Sequence, residues 1–196
     1  MNRIGCIFIG LFAALIAAAM ALVDFGGSGA ARPRRAAPVT VERTAVPDGM
    51  LTLPVQGVAW REIAHSWGDL RGGGMRRHTG TDIMAPRGTP VIAAAPGSVE
   101  KLFFSRGGGG ITLYVRSPDR RLSYYYAHLD GYAAGMREGI AVRAGQVLGY
   151  VGDTGNAGRG NTHLHFGIER LMPGEPWHRG RSIDPYPLLA HGRPQG

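Results

Sequence analysis

The chain is short of several residues on which whole classes of function depend. Its single cysteine, Cys6, lies inside an apolar run, which rules out a disulfide framework and a thiolate zinc site. Any metal must then be held by histidine and carboxylate. Cys6 also comes too early to follow the hydrophobic stretch that a lipoprotein signal needs. Lysine is nearly missing, with Lys101 alone, so the balance of 22 Lys+Arg against 14 Asp+Glu, net +8, is almost all arginine. Those arginines are scattered, with no basic helix and no aromatic-interleaved ribbon, which argues against a nucleic-acid partner. The excess favours anionic surroundings such as acidic phospholipid or an anionic polymer. No segment beyond residue 50 carries a long apolar stripe at helical spacing, so helices should be few and short. No internal repeat at a fixed period is found either.

What is abundant is punctuation: 32 glycines and 13 prolines in 196 residues. They bound short apolar segments at Pro90 to Ala95, Gly110 to Arg116, Leu122 to His128 and Gln146 to Val151, which read as strands. The expected fold is mainly β: an antiparallel or mixed sheet folded into a sandwich or open barrel, with few short helices. Gly107 to Gly110 reads as a hairpin tip rather than a phosphate loop, because no Lys-Ser/Thr pair or helix start follows it.

The N-terminus is different in kind. Ile4 to Val23 is a run of 20 residues without a charge, long enough at about 1.5 Å per residue to span a ~30 Å bilayer core as a hydrophobic helix. Residues 1–23 are expected to be a membrane anchor or a signal peptide. The length favours the anchor, whereas the alanines from 17 to 21 offer small residues for cleavage. Residues 24–49, rich in Gly, Ala, Pro and Arg, have the composition of a flexible linker. A domain over residues 50–190 and a tail over 191–196 complete the expected organisation.

Four of the seven histidines fall in three short stretches: His78-Thr79-Gly80-Thr81-Asp82, Tyr126-Ala127-His128-Leu129 at a strand end, and His163-Leu164-His165-Phe166. Each histidine taken singly is an ordinary surface or core residue; the conjunction is what points to chemistry. In a strand, His163 and His165 project to one face and Leu164 and Phe166 to the other. Adjacent imidazoles repel once protonated, and a zinc ion gives them a reason to stay neutral. His78 and Asp82 would stand ~13 Å apart in a straight strand. The chain must therefore bend between them, and Gly80 suits a bend. Two histidines and an aspartate leave zinc one open position for water, as in catalytic rather than structural sites, and the remaining histidines can move protons. Spacing alone does not decide whether His163 or His165 is the ligand.

These words resemble the M23 family of zinc peptidases, the lysostaphin-like or LytM domains. The likeness rests on H-T-G-T-D at 78 to 82 followed by Ile83, Ala85 and Pro86, on G-T-P-V-I-A-A-A at 88 to 95 with P-G-S-V after it, and on Y-A-H-L at 126 to 129. G-N-A-G at 155 to 158, H-L-H-F at 163 to 166 and D-P-Y-P-L-L at 184 to 189 extend it, so that it covers about residues 50 to 190. By that resemblance His78, Asp82 and His165 are the metal ligands of one Zn2+. His128 and His163 would be catalytic, activating water and stabilising the oxyanion. Family members hydrolyse peptide bonds in peptidoglycan on a two-sheet, mostly antiparallel β fold, which the resemblance implies here. Thr162, where many relatives carry proline, is one departure and does not touch the ligand set. The likeness of G-D-T-G-N-A-G to Gram-negative members points to D-Ala to diaminopimelate cross-links rather than glycine bridges.

The expectation is thus an exported zinc endopeptidase acting on peptidoglycan, held to the membrane by its N-terminal segment or released to the periplasm or medium, with protein partners unspecified. The alternative is a non-cleaving module that binds peptidoglycan or regulates an amidase; the complete ligand set argues against it. His65, His178 and His191 are expected on the surface, with His178 beside Trp177 near the groove. Of Tyr124, Tyr125 and Tyr126, one face should pack and the other reach substrate.

Overall fold

The computed structural model describes residues 51–190. The expectations for the hydrophobic helix at 1–23, the linker at 24–49, the tail at 191–196, Cys6 and His191 lie outside the described residues. Among the described residues, no helix is long and apolar enough to cross a membrane.

The described region holds a 3-10 turn (Trp60–Glu62), eleven strands and one short α-helix. A two-stranded hairpin, β1 (Leu70–Arg71) and β2 (Arg76–Arg77), stands by itself. Next come β3 (Thr81–Met84), β4 (Pro90–Ile92), β5 (Gly97–Ser105) and β6 (Gly110–Arg116). After them follow β7 (Leu122–Tyr132), β8 (Ala141–Val142), β9 (Val147–Val151), β10 (His163–Arg170) and β11 (Arg181–Ile183), then α1 (Pro185–Ala190). All pairings are antiparallel, and hydrogen bonds join β3 to β11 into one nine-stranded sheet with the path β11-β10-β7-β6-β5-β8. β3 is added beside β10, and β9 beside β7 with β4 outside it.

The mainly β reading with few helices therefore holds, and no barrel closes. Two antiparallel sheets are present as expected, one of nine strands and one of two. The 11-residue β7 is long enough to serve two neighbourhoods, pairing with β10 along its first half and with β9 along its second. The expected segments 110–116 and 146–151 match β6 and β9 closely, whereas 90–95 pairs only as far as Ile92, where the register shifts. β5, the second longest strand, was not among the expected ones.

Alternation explains the core. Leu164, Phe166 and Ile168 of β10, Tyr124 and Tyr126 of β7, and Leu113 and Val115 of β6 turn to one face and are fully buried with Val91, Leu148 and Leu189. Tyr126 buries its ring there because its hydroxyl accepts the Ala94 N–H at 2.9 Å, so the polar atom is not stranded. In the D-P-Y-P-L-L word, Asp184 accepts the Tyr186 N–H at 3.0 Å at the start of α1. The same carboxylate meets His65 at 2.7 Å.

Candidate metal centre

The opposite face of the same strands carries the chemistry. β10 runs between β3 and β7, and in that register His165 lies directly across from Asp82 on one side and Ala127 on the other. Cross-strand partners share a face, so Asp82 and His165 meet by pairing alone. His78 arrives from the segment that leads out of the hairpin into β3. The chain does bend at Gly80, but glycine is required there for a different reason from the expected one. It has no left-handed φ; a Cβ at Gly80 would stand 2.6 Å from His165 Nε2 and 2.6 Å from the Phe166 carbonyl oxygen. The bare backbone is what lets the β3 entry lie against the imidazole.

His128 is also set differently. The expectation ends its strand there, yet β7 continues to Tyr132. His128 instead takes a left-handed φ of 62°, at a register shift where Ile111 pairs with Leu129 but Leu113 pairs with Tyr126. The extra residue breaks the alternation, so that the consecutive Ala127 and His128 both line the cleft.

Three donor atoms converge. His78 Nε2 lies 2.9 Å from His165 Nδ1 and 3.0 Å from Asp82 Oδ1, and His165 Nδ1 lies 3.1 Å from Asp82 Oδ1. Neighbouring vertices of a zinc tetrahedron with ~2.0–2.1 Å bonds are about 3.3 Å apart, so the His, Asp, His set suits a metal ion in both chemistry and spacing. The second oxygen of Asp82 accepts Arg71 Nη2 at 2.9 Å, which leaves only Oδ1 facing the cluster. Burial by itself would raise the Asp82 carboxyl; hydrogen bonds with His165 and His78 outweigh it and hold the group well below the usual carboxylate range. Burial lowers the His165 imidazole, against the pull of Asp82, so a neutral ring is favoured.

The tautomers of the other histidines follow from their neighbours. His78 Nδ1 lies 2.7 Å from the Ser66 carbonyl, His128 Nδ1 2.8 Å from the Thr154 carbonyl and His163 Nδ1 2.9 Å from the Asn161 carbonyl. A carbonyl can only accept, so each Nδ1 carries the proton and each neutral ring keeps its lone pair on Nε2. For His78 that lone pair faces the cluster. For His163 the Nε2 stands 3.8 Å from Asp82 Oδ1, just outside it. His128 packs against His163 with ring centroids 4.8 Å apart, and burial, then repulsion from His163 and His165, pushes its imidazole down to about 4.

The cleft over the cluster encloses about 250 Å³. Tyr125 and Ala127 lie on its floor, the hairpin tip at Gly108 and Gly109 on one wall, and Asn156, Ala157 and Asn161 on another. Burial raises the Tyr125 phenol to about 12, so it stays a neutral O–H donor, while Tyr124 and Tyr126 pack in the core. All five expected site residues, His78, Asp82, His128, His163 and His165, line this one cleft. His178 is exposed and touches Trp177; His65 is half exposed and paired with Asp184. Sequence reasoning missed Arg71, the hairpin-tip wall and the three carbonyl anchors. A backbone acceptor has no residue signature, and an arginine seven positions before His78 has none without the hairpin.

Residues 76–185 match the sequence model of peptidase family M23. The chain belongs to this family. Among its M23 relatives is the L-Ala–D-Glu endopeptidase of Bacillus subtilis (strain 168), 41% identical over 130 residues, which are 63% of this chain and 38% of that protein. The DD-carboxypeptidase/endopeptidase Mpg of Neisseria meningitidis is 37% identical over 121 residues, 61% of this chain and 24% of that protein. The chain thus spans well under half the length of these curated relatives. Among solved structures, the catalytic domain of lysostaphin from Staphylococcus simulans superposes with a TM-score of 0.56 at 29% identity, over 65% of this chain and 91% of that domain.

Proposed function

We propose that this M23 chain is an exported zinc endopeptidase that hydrolyses peptide bonds in the cross-links or stem peptides of peptidoglycan. The observation that carries the reading is the convergence of three metal-suited donor atoms within 3.1 Å of one another, in one cleft with two more histidines whose Nδ1 atoms are held by backbone carbonyls. In this reading His78 Nε2, Asp82 Oδ1 and His165 Nδ1 hold the zinc. When bound, zinc supplies a Lewis acid for the scissile carbonyl and lowers the pKa of water at its open position.

The chain's own residues do the proton work. His163 and His128, fixed by their carbonyl anchors, present unprotonated Nε2 atoms that accept the proton of the attacking water. The ring that takes it then carries an N–H at Nε2, which donates to the oxygen gaining negative charge and passes its proton to the departing amine. Arg71 holds the outer oxygen of Asp82 and so keeps the inner one aimed. Residues 1–23 serve as membrane anchor or signal peptide and 24–49 as a tether, which places the 50–190 domain outside the cytoplasmic membrane, where the wall is.

The test is zinc content together with release of new peptide ends from purified cross-linked peptidoglycan by the full chain and by His165→Ala. Bound zinc, new ends from the parent, and loss of both in the variant support the reading. A parent that binds zinc and wall yet releases no ends from several peptidoglycan types is a binding module instead.

A further inference from the structure

The hairpin above the metal centre carries more positive charge than that centre needs. Arg71 and Arg76 are direct cross-strand partners in β1 and β2, and both line the cleft. Two like charges opposite one another in a strand pair are unfavourable unless something compensates them. Asp82 compensates Arg71. Arg76, by contrast, is exposed and has no acceptor or carboxylate partner among the described residues. Arg71 is itself only part satisfied, since its Nε–H is shut off from solvent and meets no acceptor among them. The adjoining Arg77 gives its Nη1 to the Gly68 carbonyl, which fixes the base of the hairpin and leaves Arg76 as its cation without a partner among the described residues. Among the described residues, Asp82 is the only acidic one lining the cleft, and both its oxygens are engaged. The cleft therefore has an unfilled demand for an anion a short reach from the reacting centre.

We infer that Arg76, backed by Arg71, is a carboxylate-binding subsite, and that the substrate is a peptide bearing a free carboxylate beside the scissile bond. The inference rests on the peptidase reading of the same cleft and narrows it. Wall stem peptides fit this chemistry. A γ-linked D-glutamate keeps its α-carboxyl on the carbon that bears the scissile nitrogen, and a cross-linked diaminopimelate does the same, whereas a glycine bridge offers no such group. Guanidinium reads a planar carboxylate through paired N–H donors, and a charge-assisted pair in a partly dry cleft discriminates against an amide by about 10–100-fold.

The experiment compares two synthetic L-Ala–γ-D-Glu-containing stem peptides, one with the D-Glu α-carboxyl free and one with it amidated, on the zinc-loaded full chain. Cleavage (kcat and KM) and calorimetric binding are both measured, for the parent, Arg76→Ala and Arg76→Lys. The expected result is a preference of about 10–100-fold for the acid in the parent, carried mainly by KM. Arg76→Ala should abolish that preference and Arg76→Lys should restore part of it. Equal handling of acid and amide by the parent overturns the subsite. So does a preference that survives in Arg76→Ala, because the carboxylate would then be held by the metal. If neither peptide is cut but the acid still binds more tightly in an Arg76-dependent way, the subsite stands and the stem-peptide form of the peptidase reading falls.

Discussion

Along β10, the side chains at 164, 166 and 168 are all apolar and fully buried, while those at 163, 165, 167 and 169 are two imidazoles, a bare glycine and a carboxylate. One strand thus presents two surfaces governed by different rules. On the packed face, what matters is volume: Phe166 fills space against Tyr126, with ring centroids 5.3 Å apart. On the cleft face, what matters is which atom carries a lone pair and where. Gly167 lies across from Tyr125 on that face, and a Cβ there would meet the Tyr125 ring at 3.4 Å, an ordinary contact. The strand is rigid because of the first face and useful because of the second. Substitutions on the two faces should therefore fail in separable ways.

The sharpest test of this separation is a pair of variants three residues apart. His163→Ala should lower the rate of peptide-end release by about 10²–10⁴-fold, the usual contribution of a positioned acid–base group, with zinc content and denaturation midpoint close to the parent. Phe166→Ala should do the reverse, costing about 3–5 kcal/mol of stability in urea unfolding while the molecules that remain folded still cut. If His163→Ala were destabilised as much as Phe166→Ala, the cleft face would be a packing face after all. A smaller effect is expected where the two faces touch, at Gly80→Ala. Its new Cβ must displace the His165 ring or the Phe166 carbonyl, and a ligand moved in this way should weaken zinc binding by about 10–100-fold in a chelator competition, with only a modest loss of fold. Unchanged zinc affinity would mean that the ring can step aside at no cost.

The two faces also differed in how legible they were. Period-2 alternation at 163–166 announced both the core side chains Leu164 and Phe166 and the projection of His163 with His165, because a strand's geometry is local and needs no partner to be read. The meeting of Asp82 with His165 was not local: it depends on β3 and β10 pairing in one register 83 residues apart in sequence. Only the resemblance to a known family supplied it in advance. His128 was located as a residue but misread as a strand end, since nothing in Tyr-Ala-His-Leu marks a left-handed φ in a non-glycine residue. Arg71 and the carbonyls of Ser66, Asn161 and Thr154 were invisible, because their roles come from where loops lie and not from residue type. Gly80 was singled out correctly and for the wrong reason, flexibility having been inferred where absence of bulk is what counts.

The smallest predicted effect probes the cleft face without any substrate. Burial holds the His128 imidazole at about 4, below its ordinary 6.5. Above pH 6.5 the ring is neutral in both folded and unfolded chains and contributes nothing to the difference between them. Between 6.5 and 4 the unfolded chain binds a proton there that the folded chain refuses, so stability falls as the pH falls through this window and levels off below it. The cleft is open to water, so the loss should be about 1–2 kcal/mol, less than the shift alone would give. Urea unfolding of the metal-free protein at pH 7 and pH 4.5 measures it against His128→Asn, asparagine being tolerant of the left-handed backbone at this position. The other titrating groups are common to both proteins, so their effects cancel in the comparison. The parent should lose more stability than the variant on acidification. Equal losses would mean that His128 takes up its proton freely while folded, and that the cleft face does not hold this ring as the neutral base the proposed mechanism uses.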